Sequence, residues 1–241
     1  MQKENLRSHF YCKQFSIRHD IASLKVTTEA LILGAYAAIE SKNSENILDI
    51  GTGTGILALM VAQKTKCLID AIEIEKVSAK LAQENVENST FKDQIKVYHC
   101  PVQAFDSIKK YDLIISNPPF FENHLKSPQA KKNVAIHNDF LPFQELALGL
   151  HRLMQKKGRF LVLLPSSQLL LLEEALNLLN IKKTKEFRIH HDQNSKVLRI
   201  IATFEYNFSS VELVNFFIKD QTGNYTRQFE DLLKDYYLIF S

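Results

Sequence analysis

The chain has 241 residues, of which 45% are hydrophobic and 24% charged, and a formal net charge of +3 at pH 7. These values allow a sizeable core in one α/β domain with additions, or in two small domains, and the mild basicity permits a nucleic-acid partner without arguing for one by itself. No run of about 18 apolar residues and no secretory start is visible, and Cys12, Cys67 and Cys100 are scattered without CxxC or Cys/His ligand spacing, which excludes a membrane span and a structural zinc and leads us to expect a soluble, cytoplasmic protein with free thiols.

Residues 10–17 suit a strand or hairpin arm, and Thr27 or Thr28 can cap a helix that runs to about Ile39. Residues 47–50, Ile-Leu-Asp-Ile, read as a short buried strand running into Gly51-Thr52-Gly53-Thr54-Gly55, after which 56–64 read as a helix with an apolar face. Glycines at such a turn let a bound ligand approach the backbone closely, beside the free N–H groups where a helix starts. The spacing is Gly-x-Gly-x-Gly with Asp49 two residues ahead, which differs from the Gly-x-Gly-x-x-Gly of dinucleotide sites. The second strand, 67–74, carries Glu73 near its end, where a carboxylate can accept ribose hydroxyls; Glu75 is its rival. A helix over 76–88 and a third strand over 95–100 follow, with no acidic residue in His99-Cys100-Pro101-Val102-Gln103.

The next strand signal, 113–115, stops at Asn117-Pro118-Pro119-Phe120. Proline cannot continue a sheet ladder, and a proline after Asn117 steers that residue away from α geometry. An amide, two carbonyls and an aromatic ring are thereby held in a stiff corner at the carboxyl end of a strand, where open α/β sheets bind ligands. Residues 122–139 are polar and irregular, a length at which an unstructured loop is usually functional or mobile. Beyond them we expect a helix over 141–157 closed by Gly158, a strand over 159–164 and a helix over 168–180. Strands over 181–189 and 197–206, an edge strand offered by 211–219 and a last helix over 226–236 complete the pattern. The early strand–helix alternation predicts an α/β fold.

The glycine turn resembles the first motif of class I S-adenosylmethionine-dependent methyltransferases, and the Asn117-Pro118-Pro119-Phe120 corner resembles the Asn-Pro-Pro-aromatic motif of the amino-group methyltransferases. Lys13-Gln14-Phe15, His19-Asp20, Lys25-Val26-Thr27-Thr28-Glu29 and Leu33-Gly34-Ala35 resemble the opening of the bacterial tRNA-1(Val) (adenine-N6)-methyltransferase family. Lys219-Asp220, Asn224-Tyr225-Thr226 and Tyr236-Tyr237-Leu238 resemble its end, so the similarity spans nearly the whole chain. That resemblance implies a doubly wound, Rossmann-like sheet of about seven strands, mostly parallel with an antiparallel C-terminal hairpin. An N-terminal extension over 1–45 is expected to pack on a methyltransferase domain over 46–241. S-adenosylmethionine is the cofactor implied, held at Asp49, Gly51, Gly53, Gly55 and Glu73, with Asn117, Pro118, Pro119 and Phe120 as the catalytic corner and no metal. The family often places an acid after the third strand to bind the cofactor adenine; here Gln103 is the substitute on offer.

The implied substrate is the adenosine just 3′ of the anticodon in valine tRNA, bound through its anticodon stem-loop, with neither DNA nor membrane as partner. An adenine amino nitrogen is a poor nucleophile because its lone pair is delocalised into the ring. An Asn117 side-chain oxygen and a Pro118 carbonyl that accept its two N–H bonds would free that lone pair, with Phe120 stacked on the base. A nucleotide in a single-stranded loop flips out at little cost. Candidates for phosphate contacts are Lys109, Lys110, Lys126, Lys131, Lys132, Lys182, Lys183, Lys185 and Arg188. The competing readings are ribosomal RNA guanine-N2 methylation, glutamine methylation at release factors, DNA adenine methylation and a non-catalytic RNA-binding protein.

Overall fold

The computed structural model describes residues 8–20, 26–118, 143–206 and 210–240. It opens on a hairpin of β1 (His9–Tyr11) and β2 (Ser16–Arg18), antiparallel with Phe10 opposite Ile17. Cys12, Phe15 and Ile17 send buried side chains into the same apolar cluster as the first helices of the core. Helix α1 (Thr28–Glu40) starts where the threonine pair predicts, with the Thr27 hydroxyl accepting from Ala30 N at 3.2 Å.

Strand and helix then alternate through β3 (Asn46–Ile50), α2 (Ile56–Ala62), β4 (Leu68–Glu73), α3 (Lys76–Glu87), β5 (Ile95–His99) and β6 (Tyr111–Ser116). Successive strands step outward from β3 through β4 to β5; the chain then crosses back and lays β6 on the other side of β3, all in parallel. Helix α4 (Phe143–Leu153) leads to β7 (Met154–Leu164), parallel to β6, and α5 (Ser166–Asn177) leads on to β8 (Lys182–His190). Strand β9 (Val197–Glu205) runs antiparallel between β7 and β8. The expected antiparallel closure is present, but the sheet holds eight strands rather than seven. The eighth is β10 (Glu212–Phe217), the edge strand offered by 211–219, which pairs in parallel with β8 and is followed by α6 (Arg227–Leu233).

The sheet is covered on both faces, as parallel strands require. Ile47 of β3 lies in one buried cluster with residues of α1, α2 and α6, whereas Leu48 and Ile50 lie in another with residues of α4 and α5. The two-residue period of a strand thus feeds both cores at once.

The helix expected over 141–157 is shorter. It ends at Leu153 because Met154 already pairs with Tyr111; the ladder resumes at Leu113 opposite Arg159, with extra residues bulged between. Gly158 therefore does not close a helix. A methyl group at that position would sit 2.7 Å from the Tyr111 carbonyl oxygen, so glycine is needed there for the close approach of two backbones.

Candidate active site

The strand order reverses between β3 and β6, and open α/β sheets bind ligands outside the carboxyl ends of the strands at such a reversal. Ile50 and Ser116, the last residues of the two strands, are register partners, so the glycine turn and the Asn117 corner leave the sheet side by side. The buried Ser116 hydroxyl locks them together by donating to the Ile50 carbonyl at 2.8 Å.

Gly51, Gly53 and Gly55 all adopt positive φ, at 71°, 56° and 83°. Only glycine takes up that conformation without strain. The turn is held from several sides. Gly51 N and Thr52 N both donate to the Ile72 carbonyl at 2.9 and 3.1 Å, and Gly55 N donates to the Thr52 carbonyl at 2.9 Å. Gly53 N donates to Glu73 Oε2 at 2.9 Å. A methyl group added at Gly51 or Gly53 would meet nothing within 4 Å, so the outer side of the turn is open for a ligand to lie against the backbone.

Three carboxylates near this turn have different duties. Asp49 is fully buried; its Oδ2 accepts from the Thr52 hydroxyl at 2.6 Å, while its Oδ1 makes no hydrogen bond among the described residues. Burial pushes its carboxyl up to about 7 against the opposing pull of the Thr52 hydroxyl, and the nearby Glu73 charge adds to the rise. Glu73, 8% exposed, accepts from Gly53 N and, through Oε1, from Glu75 N at 3.0 Å. An ionised carboxylate offers about four acceptor positions, so Glu73 retains capacity for a diol. Glu75 lies beyond the end of β4 rather than on its face. It caps α3, accepting from Val77 N at 2.9 Å and Ser78 N at 2.6 Å, and those two N–H bonds hold its carboxyl below the usual range.

At the corner, Asn117 Oδ1 is buried and has no hydrogen-bond partner among the described residues. An amide oxygen in that state costs about 1–3 kcal/mol, which an incoming donor would relieve. Pro118 follows it; Pro119, Phe120 and the 122–139 loop lie outside the described residues.

Curated proteins across almost the full length of the chain carry the same name. The tRNA1(Val) (adenine(37)-N6)-methyltransferase of Dyadobacter fermentans is 40% identical, covering 97% of this chain and 98% of that protein. Its namesake in Pedobacter heparinus is 35% identical over 98% and 100%. The chain belongs to the tRNA1(Val) (adenine(37)-N6)-methyltransferase family. The family model described as "Methyltransferase small domain" matches residues 27–141, which span the glycine turn and the Asn-Pro corner. Among solved structures, a protein described as a predicted O-methyltransferase from Agrobacterium tumefaciens superposes with a TM-score of 0.65 at 16% identity, over 84% of this chain and 94% of that one. The CcbJ methyltransferase of Streptomyces caelestis superposes with a TM-score of 0.54 at 10% identity, over 75% and 96%. These two likenesses show the fold.

This member of the family uses side chains that reading the sequence alone overlooked. Thr52 and Ser116 organise the two halves of the site by hydrogen bonds; the only local signal was a hydroxyl three residues after Asp49. Gln103, offered as a substitute for the missing acid, is exposed and donates to Glu145 of α4. Among the described residues, the basic candidates do not gather at the site. Lys109 and Lys110 precede β6, at the end of the sheet opposite Asn117, and reach Asp70 and the Arg152 carbonyl. Lys183 is paired with Glu173 and Glu186, Lys185 with Glu212 and Arg188 with Glu186, while Lys126, Lys131 and Lys132 lie outside the described residues. Among the described residues, no group of three or more His, Cys, Asp or Glu could hold a metal ion, and no helix is long and apolar enough to cross a membrane.

Proposed function

We propose that this chain transfers the methyl group of S-adenosylmethionine to N6 of adenine 37 in tRNA1(Val), the reaction for which its curated relatives are named. The observation that carries this reading is the buried, unpartnered Asn117 Oδ1 beside an open glycine turn. S-adenosylmethionine supplies an already activated methyl on its sulfonium, so the protein has mainly to position and to accept hydrogen bonds. Asn117 Oδ1 accepts one N–H of the amine and the Pro118 carbonyl the other, which localises the lone pair on nitrogen. Phe120 stacks on the base. Glu73 would take the ribose hydroxyls of the cofactor with its remaining acceptor positions, and Gly51, Gly53 and Gly55 would let the cofactor lie against the turn. Asp49 sits beneath the turn and sets its shape through Thr52. The anticodon stem-loop presents the base already unpaired, and neither DNA nor a membrane takes part.

The test is transfer of labelled methyl from S-adenosylmethionine to total tRNA from a strain lacking this protein, followed by nucleoside analysis. N6-methyladenosine in valine tRNA is the expected product. Label in ribosomal RNA or in a release-factor peptide instead would replace this reading with guanine or glutamine methylation. Tight RNA binding without cofactor affinity would replace it with a non-catalytic role.

A further inference from the structure

Asn85, near the end of α3, is 4% exposed, yet every polar atom of its side chain is used. Oδ1 accepts from Arg18 N at 2.9 Å, and Nδ2 donates both to the Arg18 carbonyl at 3.1 Å and to the Thr54 carbonyl at 2.8 Å. One amide thus pairs with the backbone of β2 as a neighbouring strand would, and at the same time holds a carbonyl inside the glycine turn. The same helix braces that turn a second way: a methyl group on Gly55 would lie 3.6 Å from Ala82, three residues before Asn85 and on the same helix face. The Arg18 guanidinium adds an outer tie to Glu84 at 2.9 Å.

We propose that Asn85 is a positioning residue for the cofactor turn and that it couples the N-terminal hairpin to cofactor binding. The argument rests on the reading of the glycine turn as the cofactor site. An amide has two N–H bonds in one plane, so the bond to Thr54 is aimed correctly only while Arg18 holds the rest of the group. Thr54 stands between Gly53, which borders the open side of the turn, and Gly55, which faces Ala82 of α3. A hairpin that lifts away frees the amide to rotate and loosens the turn; a ligand that fixes the turn tightens the hairpin by the same factor. The hairpin has anchors of its own, Lys13 N to the Tyr236 carbonyl at 3.0 Å and Phe15 edge-on to Phe91, so it remains attached when Asn85 is altered.

The coupling is tested with S-adenosylhomocysteine as the probe. In the unaltered protein, amide exchange at Ser16, Ile17 and Arg18 is expected to slow when the probe binds. Asn85→Asp is nearly isosteric and still accepts from Arg18 N, but it cannot donate to the carbonyl of Thr54 or of Arg18. It should weaken probe binding by about tenfold, raise KM for S-adenosylmethionine by the same factor, leave kcat at saturation nearly unchanged and abolish the exchange response of the hairpin. A merely structural asparagine would lower thermal stability without that split between KM and kcat. Unchanged probe affinity in Asn85→Asp overturns the proposal. Should that variant fail to fold, the unaltered protein decides alone: normal binding with an indifferent hairpin removes this inference and leaves the cofactor reading intact. No binding by the unaltered protein removes both.

Discussion

At the end of β3, the backbone N–H groups of Gly51, Thr52, Gly53 and Gly55 all find acceptors within the protein. One strand over, at the end of β6, the buried side-chain oxygen of Asn117 finds none among the described residues. The two segments are register neighbours in one sheet and share a hydrogen bond through Ser116, so the contrast is not one of location. On the function proposed above, it reflects two tasks. A surface that must match the shape of a ligand gains from a backbone already held in place, because little ordering then remains to be done on binding. A group that must act on an amine gains from an acceptor whose need only the substrate meets, because the hydrogen bond then forms where the chemistry occurs. Asp49 complicates the pattern, since its Oδ1 is also unpartnered beneath the turn. Its carboxyl, raised to about 7 by burial, is protonated over much of the range in which an ordinary aspartate is ionised, which lessens the cost of that missing partner.

Replacing one residue on each side should give opposite phenotypes. The largest effect is expected at the turn: Gly53→Val places a β-branched residue at φ 56°, at a cost of about 1–3 kcal/mol, and fills the open side. Calorimetry should then show no binding of S-adenosylhomocysteine, and undiminished affinity would take the cofactor away from this turn. Next comes the pH dependence of stability in the ligand-free protein. The folded value of about 7 for Asp49 lies above the roughly 3.9 of an unfolded aspartate, so between the two the folded chain keeps a proton that the unfolded chain has released. This group is therefore expected to lower stability as pH rises from about 4 to about 7, by about 4 kcal/mol at most, and Asp49→Asn should flatten that slope in denaturant titrations. An identical slope in the variant would show that Asp49 titrates normally.

On the other side of the comparison, Asn117→Ala should lower kcat by about 10²–10³-fold while S-adenosylhomocysteine binds as before. A variant with near-normal turnover would leave the unpartnered oxygen without a role. The smallest effects should separate the two neighbouring carboxylates. Glu75→Ala removes the cap of α3 and should cost about 1 kcal/mol of stability with little change in cofactor affinity. Glu73→Gln should weaken cofactor binding by about tenfold with a smaller effect on stability. The reverse result would exchange their assignments.

What could be read from the sequence alone were features fixed within a few residues of chain. The glycine turn, a threonine cap at 27 or 28, the strand that halts at Asn117-Pro118 and the early strand–helix alternation follow from side-chain sterics and local hydrogen bonding, and the structure places each where the sequence puts it. The similarity of both ends of the chain to one family was also legible, and the curated relatives match across nearly its full length. The rest depended on residues far apart in the chain. Met154 leaves the expected helix because Tyr111 offers it a ladder position, and Gly158 is required by a carbonyl 47 positions earlier in the numbering, at Tyr111. Glu73 is preferred over Glu75 on paper by its place in the family pattern; the structure parts them physically, because one meets Gly53 across the sheet while the other meets the start of its own helix. Ser116 and Asn85 look like ordinary polar residues until the register of β3 against β6 and the docking of the hairpin give their hydrogen bonds an address. Sequence periodicity reports which face of an element is apolar; which polar atoms meet across that face is set by register and docking, and those exist only once the chain has folded.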